Sequence, residues 1–200
     1  MKVEVRDDVA IIDGYVNVVE RDSKVLVDAQ GKFIEKMKSG VFQRALDRAV
    51  AEKTDVKVLL NHDYNRELTS TKDHTTELHE DAVGLRCHCE IRDADVVEKA
   101  RNKKLVGWSF GFIALKQDRD NASDISHREV RDIILKEVSI LDDTRVPAYD
   151  GTLIESRDYI EIRDCEEVEY SIREKDKPLP KTENDNWKYE NKFLELRAGL

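Results

Sequence analysis

Leu85, Cys87, Cys89 and Ile91 alternate with Arg86, His88 and Glu90, and Val106, Trp108, Phe110 and Phe112 alternate with Gly107, Ser109 and Gly111. Val56, Val58 and Leu60 do the same on the way to Asn61-His62-Asp63. Successive side chains of a strand point to opposite faces, so each of these runs predicts a strand. Ala10–Val19 and Ile133–Leu141 are further apolar runs read as strands. The polar stretch Glu20–Lys24 predicts a turn that joins the first of them to Val25-Leu26-Val27 in a hairpin. In the first 154 residues, helical spacing is found at Val41–Ala51, where Phe42, Ala45, Leu46 and Ala49 share a stripe after Gly40, and at Ala94–Lys104. Strands not regularly separated by helices argue against a doubly wound parallel sheet. The expected class is mainly β (α+β), a barrel or sandwich with a few helices.

A chain of 200 residues buries about 70% of its unfolded surface, enough for a true core. Hydrophobic residues make up 40% and charged residues 38%, which predicts a modest core under a heavily solvated exterior. With 34 basic against 43 acidic side chains the net charge is −9, unsuited to non-specific nucleic-acid binding. No apolar run approaches the ~20 residues of a membrane span, and the opening Met1-Lys2-Val3-Glu4-Val5-Arg6 lacks a signal-peptide core. Three cysteines predict no disulfide framework and a reducing cytoplasm. Charge is denser after residue 154, with 22 charged residues in 155–200 against 55 in 1–154. We therefore read 1–154 as the folded domain and 155–200 as a charged appendage. Within the appendage, Asn186–Leu196 can form a short helix with Trp187, Asn191 and Leu194 on one stripe and Tyr189, Phe193 and Leu196 on another.

Several residues could carry chemistry. Cys87-His88-Cys89 offers three metal ligands, but on a strand the cysteines face one side and the histidine the other, so no metal site is expected. Gly107-Trp108-Ser109-Phe110-Gly111 fits the GxSxG pattern. The lipase and esterase elbow requires a helix directly after the serine, whereas Phe110–Leu115 continues as a strand, and the sole later histidine is His127. A serine on a strand can still be a nucleophile if a base accepts its proton. Glycines on either side, Gly107 and Gly111, leave that face open to a substrate backbone. His62, at the end of a strand, is a candidate base. Glu137 in Leu135-Lys136-Glu137-Val138-Ser139-Ile140 is an acid in an otherwise apolar strand. It either orients the histidine or points to solvent from an edge.

The order of several segments resembles the caudovirus prohead serine protease family, which matures phage capsids. The segments are Ile12-Asp13-Gly14-Tyr15-Val16, Phe33-Ile34-Glu35 leading to Gly40-Val41-Phe42, Leu60-Asn61-His62-Asp63, Gly84-Leu85, Val106–Phe112, and Leu135–Ile140 followed by Val146-Pro147-Ala148-Tyr149. The resemblance implies a fold similar to the herpesvirus assembly protease, a β-barrel surrounded by a few helices. It implies His62 as general base, Ser109 as nucleophile and Glu137 as the third member, with Asp142 or Asp143 as alternates. The herpesvirus enzymes use a second histidine as third member, and none stands near this position. Arg145, together with Gly107, Phe110 and Gly111, is implied at the oxyanion or substrate subsite. Two stretches depart from the family pattern: Tyr64–Ser70 after the histidine, and the link Asp142-Asp143-Thr144-Arg145.

The resemblance further implies a serine endopeptidase with no cofactor, acting inside the assembling procapsid in the host cytoplasm. Its partners would be the major capsid protein with its scaffolding segment, or a separate scaffold protein, with self-cleavage and a homodimer also suggested. Nucleic acid and membrane are not expected partners. The rival readings are an inert capsid-assembly component of the same fold and a serine esterase pairing Ser109 with His127.

Overall fold

The computed structural model describes residues 1–120, 124–144, 161–165 and 168–173. Arg145 and the stretch Asn186–Leu196 lie outside the described residues. Strands dominate, as the alternation predicts, and form two sheets.

In the first sheet β1 (Lys2–Arg6) turns back through Asp7 into β2 (Val9–Val18), with Asp7 in the left-handed region at φ 52°. In the second sheet β3 (Leu26–Asp28) pairs with β4 (Gly31–Met37). The hairpin expected between Ala10–Val19 and Val25–Val27 is therefore not formed, because β2 and β3 belong to different sheets. Glu20–Lys24 crosses between them. The Glu20 and Ser23 amides donate to the carbonyls of Met37 and Glu35, both at 2.8 Å. A polar run without a turn dipeptide satisfied the pattern for a hairpin but served as a crossover.

Helix α1 spans Val41–Ala51, as the stripe predicts, and buries Val41, Phe42, Ala45 and Leu46. Its free N-terminal amides are satisfied by the Glu80 carboxylate, which accepts from Gly40 at 2.5 Å, Phe42 at 2.9 Å and Gln43 at 2.8 Å. Next come β5 (Lys57–Leu60), β6 (Asp63–Ser70), β7 (Thr76–Glu80), β8 (Gly84–Ile91) and α2 (Ala94–Arg101). The Asp93 side chain caps α2 by accepting from the Val96 amide at 3.0 Å. Two long strands follow, β9 (Leu105–Asp120) and β10 (Ser126–Asp142). After residue 154 the chain adds β11 (Glu161–Cys165) beside β9 and β12 (Glu169–Arg173) beside β1. The division at 154 assigns these two strands to the appendage, but both are members of the sheets.

The first sheet runs β12-β1-β2-β8-β7 and the second β11-β9-β10-β4-β3. The far half of β10 is paired by β5, which carries β6. Among the described residues the strands do not close on themselves, so the expected barrel is replaced by two open sheets. The two sheets and both helices share one core, which includes Ile12, Leu85, Ile91, Val96, Phe42, Trp108, Phe110, Phe112 and Ile140. Phe110 meets Phe42 edge-on at 5.5 Å and stacks on Phe112 at 5.5 Å. The opposite face of β9 and β10 carries the polar cluster described next.

Candidate active site

Strand β5 ends in a two-residue turn, with Leu60 and Asp63 facing each other across it. Both turn residues, Asn61 (φ 55°) and His62 (φ 61°), are left-handed, the pattern of a type I′ hairpin turn. Asparagine tolerates this region better than most residues. Asn61 also fastens the turn to β10. Its backbone N–H donates to the Ile140 carbonyl at 3.0 Å, its side-chain amide donates to Asp142 Oδ1 at 2.8 Å, and its Oδ1 accepts from the Asp142 amide at 3.1 Å. The strained turn is thus held at three points, which directs His62 over β10.

Strand β10 supplies the acid through an irregularity. Leu135 pairs with Phe112 and Glu137 pairs with Gly111, so β10 advances two residues while β9 advances one. Lys136 is the extra, bulged residue. In a regular strand Leu135 and Glu137 would share a face. The bulge instead leaves Ile133 and Leu135 in the core and turns Glu137 to the other side, while Val138 and Ile140 return to the core. Glu137 is not on an edge: β9 flanks it on one side and β5 on the other. It is 1% exposed and opposite a residue with no side chain.

The His62 ring fills the space beside it. Nδ1 lies 2.8 Å from Glu137 Oε1. A carboxylate can only accept, so this partner assigns the proton to Nδ1 and leaves Nε2 as the basic nitrogen of the neutral ring. Glu137 Oε2 accepts from the Ser139 hydroxyl at 2.5 Å, and Ser139 Oγ in turn accepts from the His62 backbone N–H at 3.1 Å. Ser139 pairs directly with Ser109 on β9, so the two hydroxyl-bearing residues share a face on adjacent strands. Ser109 Oγ and His62 Nε2 are both buried, and neither has a hydrogen-bond partner among the described residues. A buried polar atom without a partner requires an explanation. Asn17 Oδ1 and Trp108 Nε1 are also buried without a partner among the described residues, and the other two such atoms are those that a nucleophile–base pair would use.

The chain matches the model of the caudovirus prohead serine protease over residues 1–169. It belongs to that family. The sequence resemblance is thereby confirmed at the level of the family, which indicates a serine peptidase of phage capsid maturation. Neither the curated proteins nor the solved structures compared contain a match. No helix among the described residues is long and apolar enough to cross a membrane.

The other residues expected at the site of a prohead protease fall out as follows. Asp142 bonds Asn61 and Thr144, and Asp143 lies 3.6 Å from Lys104. Neither has a described contact with His62, so they do not take Glu137's place in the geometry. Burial disfavours the ionised Asp142 carboxyl, but hydrogen bonds from Thr144 and Asn61 outweigh it and hold the group below its ordinary value. Gly107 and Gly111 lie in the ladder opposite Leu141 and Glu137. The Phe110 side chain faces the core, so it cannot line a subsite on the Ser109 face. β9 continues past Ser109 to Asp120, with no elbow helix. His127 is exposed at the far end of β10, about 40 Å of extended chain from Ser139. This geometry rules out the esterase pairing. Cys87 and Cys89 point inward and His88 outward to Asp13 at 3.2 Å, so the three do not converge.

Sequence reasoning missed Asn61 and Ser139. Ser139 could have been flagged as a hydroxyl two positions from Glu137 on the same strand. Tyr64, in the departing stretch, stands near the site and is partly exposed. Burial raises its hydroxyl's pKa, and the negative charge of Glu137 adds to the effect.

Proposed function

We propose that this chain is the serine endopeptidase that cleaves capsid protein, at its scaffolding segment or in a separate scaffold, during prohead maturation. The observation that carries the reading is the His62–Glu137 pair, with Ser109 on the strand beside Glu137 and Ser139; His62 Nε2 and the Ser109 hydroxyl are both unpartnered among the described residues and do not hydrogen-bond each other. In the reaction, His62 Nε2 takes the proton from Ser109 Oγ as the oxygen attacks a peptide carbonyl. Glu137 keeps the other ring proton on Nδ1 and stabilises the imidazolium. The imidazolium then protonates the leaving amine. The same nitrogen next activates a water that hydrolyses the acyl-enzyme. Arg145 is proposed at the oxyanion. Ser109 is 0% exposed, so acylation requires its hydroxyl to become accessible to the substrate. The proposal extends to self-cleavage, to a homodimer and to action inside the procapsid.

Co-expression with the capsid protein tests this. The wild type shortens the capsid protein, whereas Ser109→Ala and His62→Ala leave it whole. Capsid protein left intact by the wild type would overturn the reading. The burial of Ser109 favours one rival, an inert assembly component. A fluorophosphonate probe separates the two, since an inert chain is not labelled at Ser109.

A further inference from the structure

Two of the hydrogen bonds that hold His62 and Glu137 run through one residue with no assigned part in the chemistry. The Ser139 hydroxyl donates to Glu137 Oε2 at 2.5 Å and accepts from the His62 N–H at 3.1 Å. Ser139 is 0% exposed and stands between β5, where it pairs with Leu59, and β9, where it pairs with Ser109. We propose that Ser139 is the positioning residue of the site, an inference that rests on the peptidase reading above.

The physical case has two parts. A carboxylate bound through one oxygen can still rotate, because the terminal torsion of glutamate is broad. A donor on the second oxygen fixes the carboxylate plane and keeps Oε1 on Nδ1. Equally, the His62 backbone is left-handed without being glycine, and the second central N–H of a two-residue turn has no ladder partner of its own. Ser139 Oγ supplies that partner, so one hydroxyl fixes both the backbone that aims the ring and the acid that orients it. Because its single proton goes to Glu137, its lone pair is more strongly polarised toward the His62 amide. Threonine can make both bonds, cysteine only weak versions of them, and alanine neither.

The test uses the full chain with the variants Ser139→Ala, Ser139→Thr and Ser139→Cys. The limiting rate of fluorophosphonate labelling at Ser109 should fall about 10- to 100-fold in S139A, as for loss of one hydrogen bond to a charged group. The probe concentration giving half the limiting rate should stay unchanged. S139T should return to within about threefold of wild type, with S139C between S139T and S139A; this series still decides if S139A does not fold. A second readout is the downfield proton resonance of the His62–Glu137 bond, followed in the Ser109→Ala background. It should broaden or vanish when Ser139→Ala is added. Wild-type labelling by S139A with the resonance intact would overturn the proposal, and so would equal slowing in S139A and S139T. A chain that never labels or cleaves, yet loses the resonance with Ser139, retains the hydrogen-bond role and overturns the peptidase reading instead.

Discussion

Glu137→Gln keeps the shape of the site and removes only the charge that faces the histidine. During acylation His62 becomes an imidazolium with Nδ1 2.8 Å from Oε1. With charge centres about 4 Å apart and an effective dielectric near 20, that attraction is worth about 4 kcal/mol. Even a glutamine oxygen turned to the same place would retain only a neutral hydrogen bond of about 1 kcal/mol. The net loss, about 3 kcal/mol, is felt mainly when the ring is charged. It should therefore slow the limiting rate by about 10²-fold or more without altering ground-state binding. Ser139 adds to the effect. Its hydroxyl donates to Oε2 in the wild type and so favours the amide oxygen on its own side in the variant. That choice turns the NH₂ toward Nδ1 and forces the ring proton onto Nε2, the nitrogen that must accept. Adding Ser139→Ala should release the amide while still removing the acceptor of the His62 N–H, so the double variant should be less slow than the product of the two single effects. The assay is the limiting rate of fluorophosphonate labelling at Ser109, with circular dichroism as the check on folding. A folded E137Q labelled within about threefold of wild type would refute the charge argument.

Asn61→Gly and Asn61→Ala both delete the side-chain bonds to Asp142, but only alanine must also adopt the left-handed conformation. Chemical denaturation should therefore place the alanine variant about 1 kcal/mol below the glycine variant, and equal stabilities would count against a strained turn. Asp142 ionises more readily in the folded chain than its ordinary 3.8, so its contribution is complete above that value and is lost as pH falls through the depressed one. The stability advantage of wild type over Asp142→Asn, measured by urea unfolding, should accordingly be full at pH 6 and shrink below about pH 4; an advantage that grows on acidification would contradict the assignment.

Much of the fold was legible because burial on one face leaves a period of two. Leu85–Ile91 lies on a strand where that rule holds, whereas β5 buries Val58, Leu59 and Leu60 in succession, and Val41–Ala51 shows the helical period over its whole length. The polar strands β6 and β7, Asp63–Ser70 and Thr76–Glu80, gave no such signal, because much of their surface faces solvent and cross-strand partners rather than the core. The charged first half of β10 was missed for the same reason. Strands β11 and β12 were hidden by the density of charge around them. One of them is fixed by a buried pairing that composition cannot reveal: Arg163 on β11 meets Glu35 on β4 at 2.7 Å.

Residue type and resemblance brought out His62, Ser109 and Glu137, but periodicity could not say which way Glu137 points. Leu135 and Glu137 are two apart and would share a face in any regular strand. The bulge at Lys136 separates them, and a bulge depends on pairing between strands distant in sequence. What fixes that pairing is the core. Trp108 opposite Ile140 and Phe110 opposite Val138 can be buried together in only one register. A slip of one residue would place apolar side chains beside His62 and drive Glu137 and Ser139 toward Phe42. The packing of the buried face thus sets the positions of hydroxyl, imidazole and carboxylate on the other. Enlarging or shrinking Phe110 should therefore disturb the site even though its ring never touches it.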